Sequence, residues 1–243
     1  MNLAEYLDKR RQVVETRRLR QLCMTCLQPL TTCYCRHVVS FDPLIHFVIL
    51  IHPVEVRRRI ATGRMSHLCL QNSRLIMGYD YSNNESVNQI LHDAGNECVI
   101  LYPGRSSVNL TAMARDDRSG LFSRDKKLVV FVLDGTWSTA KKMLRRSQNL
   151  HYLPRIAFTP PRPSNFRVRQ QPKPECFSTV EAIHHVVELL GPARGFDLQS
   201  KAHDRLLYVF DKMVEQQLGF IRVSHLTRTH SRHRRPPTPR TKN

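Results

Sequence analysis

A carboxylate stands where an apolar segment meets a basic one. The stretch KLVVFVLDGTWSTAKKMLRRS, residues 127–147, passes from a strand-like run through Asp134 and Trp137 into a helix-like basic segment. Ligands of open α/β sheets bind beyond the carboxyl ends of strands, so Asp134 could accept a proton or hold a ribose hydroxyl. It could equally cap the following helix, and Trp137 could stack on a base or fill the core. These residue types leave the three roles of Asp134 and the two roles of Trp137 open.

Four of the seven cysteines lie close together in CMTCLQPLTTCYC, as Cys23, Cys26, Cys33 and Cys35. A C-x-x-C pair followed by a C-x-C pair can place four thiolates around one Zn²⁺ ion. Such a site has no position left for water or substrate, so the predicted role is structural. Unligated cysteines in a polar loop are the alternative. A redox pair is disfavoured because it should open a helix after a strand.

The histidines form no comparable pattern. His184 and His185 are adjacent and His203 stands apart, without the spacing of a zinc-binding helix. The sequence therefore predicts no catalytic zinc.

The composition is strongly basic, with 38 Lys and Arg against 20 Asp and Glu and a formal net charge of +18. This excess favours a polyanionic partner, most simply nucleic acid, although a ribosome or an anionic membrane surface would serve equally. Residues 221–243 contain no acidic side chain, and we expect a flexible basic tail that contacts RNA. A merely solubilising terminus is the alternative, and the basic run is also compatible with nuclear targeting.

No segment has the character of a membrane span or a secretion signal. The longest apolar run, LIHFVILIH at residues 44–52, is about half the roughly 20 residues that a spanning helix needs. The amino terminus lacks the apolar centre of a signal peptide and reads as a charged amphipathic helix. Together with an odd number of cysteines, this predicts a reducing, cytoplasmic location without membrane association.

Apolar runs alternate with helix-like segments after the cysteine module. Strands are expected near residues 44–53, 74–80, 97–104, 127–136 and 155–158, and helices near 57–73, 85–95, 138–147, 178–191 and 203–220. Residues 105–120 read as a loop with a brief helical turn. Ser178 and Glu181 have the spacing of a capping box. The alternation predicts an α/β domain, with a mostly parallel sheet and helices on both faces.

The expected organisation has three parts: residues 1–40 as an amino-terminal helix and zinc module, residues 41–220 as the main domain, and residues 221–243 as the tail. The oligomeric state is not defined by these patterns.

Six motifs in order along the chain resemble the DTW-domain family of tRNA-uridine aminocarboxypropyltransferases. They are CMTCLQPLTTCYC (23–35), HPVEVRRRIATGR (52–64), LYPG (101–104), LDGTWSTAKKMLRRS (133–147), PSNFRVR (163–169) and STVEA (178–182). Two positions depart from the family pattern. Phe166 stands where the family has tyrosine, which removes a hydroxyl, and Ala61 stands where it has asparagine, which removes a polar contact.

The resemblance implies a SPOUT-related fold, with a carboxy-terminal trefoil knot against which S-adenosylmethionine binds, and structural zinc. It implies transfer of the 3-amino-3-carboxypropyl group from S-adenosylmethionine to N3 of a tRNA uridine, with methylthioadenosine as the second product. Asp134 is then the expected general base, because N3 is a poor nucleophile until its proton leaves.

The implied site residues fall into three groups. The catalytic group is Asp134, Thr136 and Trp137, although packing that supports the turn is the favoured role of Trp137. The expected cofactor-binding residues are Arg64, Leu101, Tyr102, Pro103, Gly104, Leu133, Asp134, Gly135, Ser178, Thr179 and Glu181. The expected RNA-binding residues are Lys141, Lys142, Arg145, Arg146, Arg167 and Arg169.

Two other functions are compatible with the sequence. The first is a SPOUT-type RNA methyltransferase with the same cofactor, which would release adenosylhomocysteine. The second is a non-enzymatic zinc-ribbon protein that binds RNA or the ribosome.

Overall fold

The computed structural model describes residues 21–56, 58, 60–168 and 176–227, with side chains to residue 223. The predicted amino-terminal helix up to residue 20, Arg169, and the tail beyond residue 227 lie outside the described residues.

A six-stranded parallel sheet forms the centre of the fold. Its strands are β1 (His46–Ile51), β2 (Ser73–Met77), β3 (Asn96–Leu101), β4 (Val108–Asn109), β5 (Lys127–Asp134) and β6 (Arg155–Ala157). They lie in the order β2-β1-β5-β3-β6-β4. The predicted mostly parallel sheet is confirmed, and all of its strand pairs are parallel.

The helices connect and cover the strands. They are α1 (Pro53–Val56), α2 (Thr62–Cys69), α3 (Glu85–His92), α4 (Arg115–Gly120), α5 (Trp137–Arg146), α6 (Thr179–Leu190) and α7 (Asp204–Thr227). Short 3₁₀ turns flank several of them, including Leu198–Ser200 before α7.

Both faces of the sheet are buried. In β1, Phe47 and Ile49 pack with residues of α2, α6 and α7, whereas Val48 and Leu50 pack with residues of α3 and α5. The prediction of helices on both faces is therefore confirmed. Burial on both sides explains why β1 and β5 are almost continuously apolar instead of alternating with polar residues.

The structure differs from the predicted elements at three places. The helix expected from residue 57 begins at Thr62. The segment 105–120 contains strand β4 and helix α4, and a two-residue strand is too short to produce a periodic pattern. The last helix continues past residue 220 to Thr227, so the expected start of the tail falls inside α7.

The cysteine module packs against the main core. Cys26 and Tyr34 are buried in the same apolar cluster as residues of α6 and α7. The Gln216 side chain on α7 donates to the Thr31 carbonyl at 3.1 Å, and the Tyr208 ring meets His37 edge-on at 5.8 Å. The module is thus held directly by the carboxy-terminal helix.

Across the ranges that the structure describes, no helix has both the length and the apolar composition needed to cross a membrane.

Candidate active site

A cavity of about 580 Å³ lies beyond the carboxyl ends of β3, β5 and β6. The loop after β3, the β5–α5 turn and the amino terminus of α6 form its walls. This is the position at which open parallel sheets bind ligands, and the volume lies within the usual range for small-molecule sites.

Asp134 is the last residue of β5 and lies in the wall of this cavity. The residue is 4% exposed, and its Oδ1 accepts a hydrogen bond from Thr179 Oγ1 at 2.5 Å. Gly63 packs against the other side of the carboxylate, where a Cβ atom would lie 2.6 Å from both Asp134 Cγ and Oδ2. No larger residue fits there without displacing the carboxylate.

Gly63 and Thr179 belong to the first turns of α2 and α6, so two helix amino termini meet at Asp134. The partial positive charge of a helix amino terminus stabilises a nearby negative charge. The carboxylate also acts on its surroundings: burial, and secondarily the Asp134 charge, raise the pKa of the Tyr81 hydroxyl.

Thr136 provides the cap of α5. Its Oγ1 accepts from the Thr139 backbone N–H at 3.1 Å. Gly135 leaves room for this turn, because a Cβ atom there would lie 2.5 Å from Thr139 Oγ1. The capping role considered for Asp134 therefore belongs to its neighbour Thr136.

Trp137 lines the cavity and is 42% exposed. This exposure leaves the favoured packing role a prediction, because more than half of the residue is still covered by the protein. The indole presents a flat apolar surface to the cavity, where a base could stack.

The other predicted cofactor-binding residues separate into two sets. The set that lines the cavity with Asp134 is Leu101, Tyr102, Pro103, Leu133, Gly135, Ser178 and Thr179. The set outside the lining is Arg64, Gly104 and Glu181. Arg64 is 8% exposed and donates to the Val56 carbonyl at 3.4 Å.

Glu181 forms the predicted capping box with Ser178. Its carboxylate also accepts from Ser164 Oγ and from the Asn165 backbone N–H, each at 2.7 Å. Glu181 thereby ties the loop before residue 168 to the start of α6, which is a positioning role.

Several residues that line the cavity were not among the predicted site residues. Arg58 lines the cavity and pairs with the buried Glu55 at 3.1 Å, yet in the sequence it is one of three consecutive arginines. Phe158 and Phe177 also line the cavity, and their rings lie 5.8 Å apart. Phe166 lines it too and packs edge-on against Phe210 at 5.3 Å, so the position where the family has tyrosine is a buried cavity wall.

The basic side chains of α5 face outward. Ala140, Met143 and Leu144 form the buried side of the helix. The exposed side carries four of the predicted RNA-binding residues, Lys141, Lys142, Arg145 and Arg146. Arg167 is also exposed. Because α5 starts at the cavity, this basic surface begins beside Trp137.

The four predicted zinc ligands come together. Cys23 Sγ lies 3.7 Å from Cys35 Sγ, Cys26 Sγ lies 3.6 Å from Cys33 Sγ, and all four sulfur atoms lie within 4.8 Å of one another. Four thiolates at the usual Zn–S distance would be separated by about 3.8 Å. The cluster could hold a metal ion, and its spacing fits zinc.

The thiols of this cluster have different electrostatic surroundings. Backbone N–H donors of Cys26 and Thr25 lower the pKa of Cys23 to about 6. Burial raises the pKa of both Cys26 and Cys35. A bound cation would favour the thiolate form of all four residues, since metal binding displaces thiol protons.

A second group of ligand-type side chains joins α6 to the start of α7. His184 Nε2 lies 2.9 Å from Asp204 Oδ1, and His203 Nε2 lies 3.6 Å from the same oxygen. Burial is the main cause that lowers the pKa of His203 and so favours its neutral ring. Sequence spacing missed this cluster because its members lie on separate helical segments.

The fold is a parallel α/β domain with a ligand-sized cavity beyond its strand ends and a buried carboxylate in the cavity wall, which is the arrangement in which such folds bind small molecules. The DTW domain family matches residues 20–218, and the chain belongs to that family.

Three curated relatives carry the same name, tRNA-uridine aminocarboxypropyltransferase 2. The Drosophila melanogaster protein is 27% identical over 178 residues, covering 70% of this chain and 67% of that protein. The Mus musculus protein is 27% identical over 184 residues and the Macaca fascicularis protein 25% over 183, each covering 73% of this chain and 59% of the relative. The match thus spans about three fifths of the two mammalian proteins. No solved structure matches the chain significantly.

Proposed function

We propose that this protein transfers the 3-amino-3-carboxypropyl group of S-adenosylmethionine to N3 of a uridine in tRNA, and that Asp134 is the general base. The observation that carries the proposal is the buried Asp134 carboxylate, held by Thr179 and Gly63 in the wall of a ligand-sized cavity. Membership of the DTW-domain family and the names of the three relatives support the reaction class.

The cavity has the chemistry that S-adenosylmethionine requires. Leu101, Tyr102, Pro103 and Leu133 supply apolar surface for the adenosine, and Ser178 lies at the amino terminus of α6. The methionine carboxylate requires a cation or a helix amino terminus. Arg58 is the candidate for this contact because it lines the cavity, whereas Arg64, the arginine predicted to bind the cofactor, is buried outside the lining.

S-adenosylmethionine, when bound, supplies a sulfonium group that activates the attached aminocarboxypropyl carbon. Asp134 accepts the N3 proton of uridine, and the N3 electron pair forms a bond to that carbon. The carbon–sulfur bond breaks, and its electrons remain on sulfur in methylthioadenosine. The target carbon must lie about 3 to 3.5 Å from N3, so the walls of the cavity select this carbon over the methyl group by orientation.

N3 lies on the pairing edge of uridine, so the base must be unpaired or turned out of a helix before it reaches Asp134. Trp137 lines the same cavity as Asp134 and offers the surface on which this base would stack. Lys141, Lys142, Arg145, Arg146 and Arg167 would then contact the tRNA backbone next to the cavity.

As part of the same proposal, we place the domain in the SPOUT-related class, with a carboxy-terminal knot beside the cavity. Support comes from the six ordered motifs and from the position of β6, which lies between β3 and β4 although it is later in the chain than both. We also propose that the four cysteines bind zinc and that the protein works in a reducing compartment, the cytoplasm or the nucleus.

The test is incubation of the protein with S-adenosylmethionine and unmodified tRNA, followed by mass spectrometry of nucleosides and of the small-molecule product. We expect an aminocarboxypropyl uridine together with methylthioadenosine. A methylated nucleoside with adenosylhomocysteine would identify the methyltransferase instead. No tRNA mass gain, with no thermal shift from S-adenosylmethionine, would favour the non-enzymatic RNA-binding function.

One variant and its control test whether Asp134 is the general base. Asp134→Asn preserves the size of the side chain and should abolish transfer while keeping tRNA binding. Asp80→Asn changes an exposed carboxylate and should transfer normally. A folded Asp134→Asn protein with near-wild-type transfer would refute the role of Asp134 as base.

A further inference from the structure

We infer that His184, His203 and Asp204 form a second metal site, which takes one divalent ion of the zinc class and fastens α7 to α6. The three residues each offer one ligand atom, and these atoms lie within 4.8 Å of one another. None of the three lines the cavity, so the site is distinct from the one described above.

The distances fit an ion of that size. Nitrogen and oxygen ligands lie about 2.0 to 2.2 Å from Zn²⁺, which places tetrahedral ligand atoms about 3.4 Å apart. Asp204 Oδ1 lies 2.9 Å from His184 Nε2 and 3.6 Å from His203 Nε2, values that bracket this separation. The ligand nitrogens of His184 and His203 lie within 4.8 Å of each other, so the two rings would approach one another when the ion binds.

The hydrogen bonding of His203 is a second, independent indication. This residue is 6% exposed, and within the described part of the chain its ring forms no hydrogen bond: Nδ1 is without a partner and Nε2 is 3.6 Å from Asp204. Buried polar groups are nearly always paired. A cation shared with His184 and Asp204 would bind Nε2, which lies too far from Asp204 for a hydrogen bond, whereas Nδ1 would stay outside the ligand set.

The surrounding charges favour a cation at this place. Glu188 Oε2 lies 3.7 Å from His184 Nδ1, so two carboxylates face the imidazoles in a chain with a formal charge of +18. The rings of His184 and His203 lie 4.7 Å apart with planes inclined by 30°. The Asp204 side chain is 51% exposed, so water can fill the remaining coordination position.

The site has a structural consequence for the cavity. Asp211, further along α7, accepts from Asn165 Nδ2 at 2.7 Å, and Phe210 packs on Phe166 in the cavity wall. A metal at the start of α7 would therefore stabilise the helix that holds this wall.

The experiment uses the full chain, purified with one equivalent of Zn²⁺ and titrated with further Zn²⁺ by calorimetry. We expect wild type to bind a second equivalent, and a hundredfold excess over its Kd should raise the melting temperature by about 5 to 10 °C. His203→Asn should lose this second step. His185→Asn is the matched control, since His185 is a buried neighbour bonded to Glu188 outside the ligand set, and it should keep the step.

Asp204→Asn provides a second variant if His203→Asn fails to fold. It removes the ligand charge from an exposed side chain and should weaken the second step at least tenfold. The inference is overturned if wild type binds no second equivalent, if the ligand variants retain the second step unchanged, or if His185→Asn loses it to the same extent as His203→Asn.

Discussion

Replacement of Gly63 by alanine tests whether the position of Asp134 determines activity. The added Cβ would lie 2.6 Å from Asp134 Cγ and Oδ2, where ordinary contact begins at 3.4 Å, so the carboxylate must move by about 0.8 Å. That movement acts against the 2.5 Å hydrogen bond from Thr179. A displacement near 1 Å in a reacting group can cost about 10²-fold in rate. We expect Gly63→Ala to lower the transfer rate by roughly that factor.

Stability should change less than activity in this variant. Overpacking costs about 1 to 3 kcal/mol, whereas alanine is about 1 kcal/mol better than glycine inside a helix. These opposing effects leave a net loss of about 0 to 2 kcal/mol, which would keep the protein folded. The rate should be measured in single-turnover transfer to tRNA, beside thermal unfolding.

Gly219→Ala is the matched control, because a Cβ atom at this position in α7 would meet nothing within 4 Å. It should transfer at the wild-type rate and gain about 0.5 to 1 kcal/mol of stability. If Gly63→Ala and Gly219→Ala transferred equally fast, the close packing of Gly63 on Asp134 would have no catalytic importance, and the reasoning would be refuted.

Three further predictions concern the stacking of the target uridine, the RNA-binding surface and the protein core. Trp137→Ala should weaken the productive tRNA complex by about 1 to 3 kcal/mol, measured as kcat/KM, and Trp137→Phe should recover part of the loss; equal values for both variants would exclude stacking. Lys142→Ala should reduce the slope of log affinity for tRNA against log salt by about one, whereas Lys212→Ala, which removes a lysine paired with Glu215 on α7, should leave the slope unchanged. The pKa of the Tyr81 hydroxyl is higher in the folded protein than in the unfolded chain, where it is about 10. The stability that this difference contributes is fully present below about pH 10 and is lost above it, by about 1.4 kcal/mol per pH unit. Tyr81→Phe should therefore show a shallower loss of stability between pH 10 and 12 in chemical denaturation, although its stability at pH 7 should be lower because the hydroxyl donates to backbone carbonyls.

The two arginines near the cavity illustrate what motif position can and cannot specify. Arg64 has the family spacing, but the helical phase of α2 turns its side chain away from the cavity, where it donates to Val56. Arg58 lies before the helix, and the chain path between β1 and α2 brings it to the cavity. A sequence pattern gives the separation of these residues along the chain, whereas the direction of each side chain depends on the local backbone.

The histidine cluster illustrates the same limit over a longer distance. His184 and His203 are separated by the end of α6 and two 3₁₀ turns, and no local spacing rule connects them. The turn before α7 includes Lys201 in the left-handed region at φ 51°, and the packing of α7 on α6 brings the rings of His203 and His184 to 4.7 Å from each other. The cluster therefore depends on tertiary packing.

The features that the amino-acid sequence determined by itself are those encoded in neighbouring residues. Apolar runs predicted the parallel strands, the Ser178–Glu181 spacing predicted the capping box, and the cysteine spacing predicted four sulfur atoms around one point. The tertiary structure decided the site. The carboxylate of Asp134 contacts Gly63 and Thr179, which lie on two different helices. One of these helices precedes Asp134 in the sequence and the other follows it. Propensity and periodicity act over a few residues, whereas contacts of this kind depend on how whole elements pack, so the position of Asp134 predicted a site and only the fold defined its geometry.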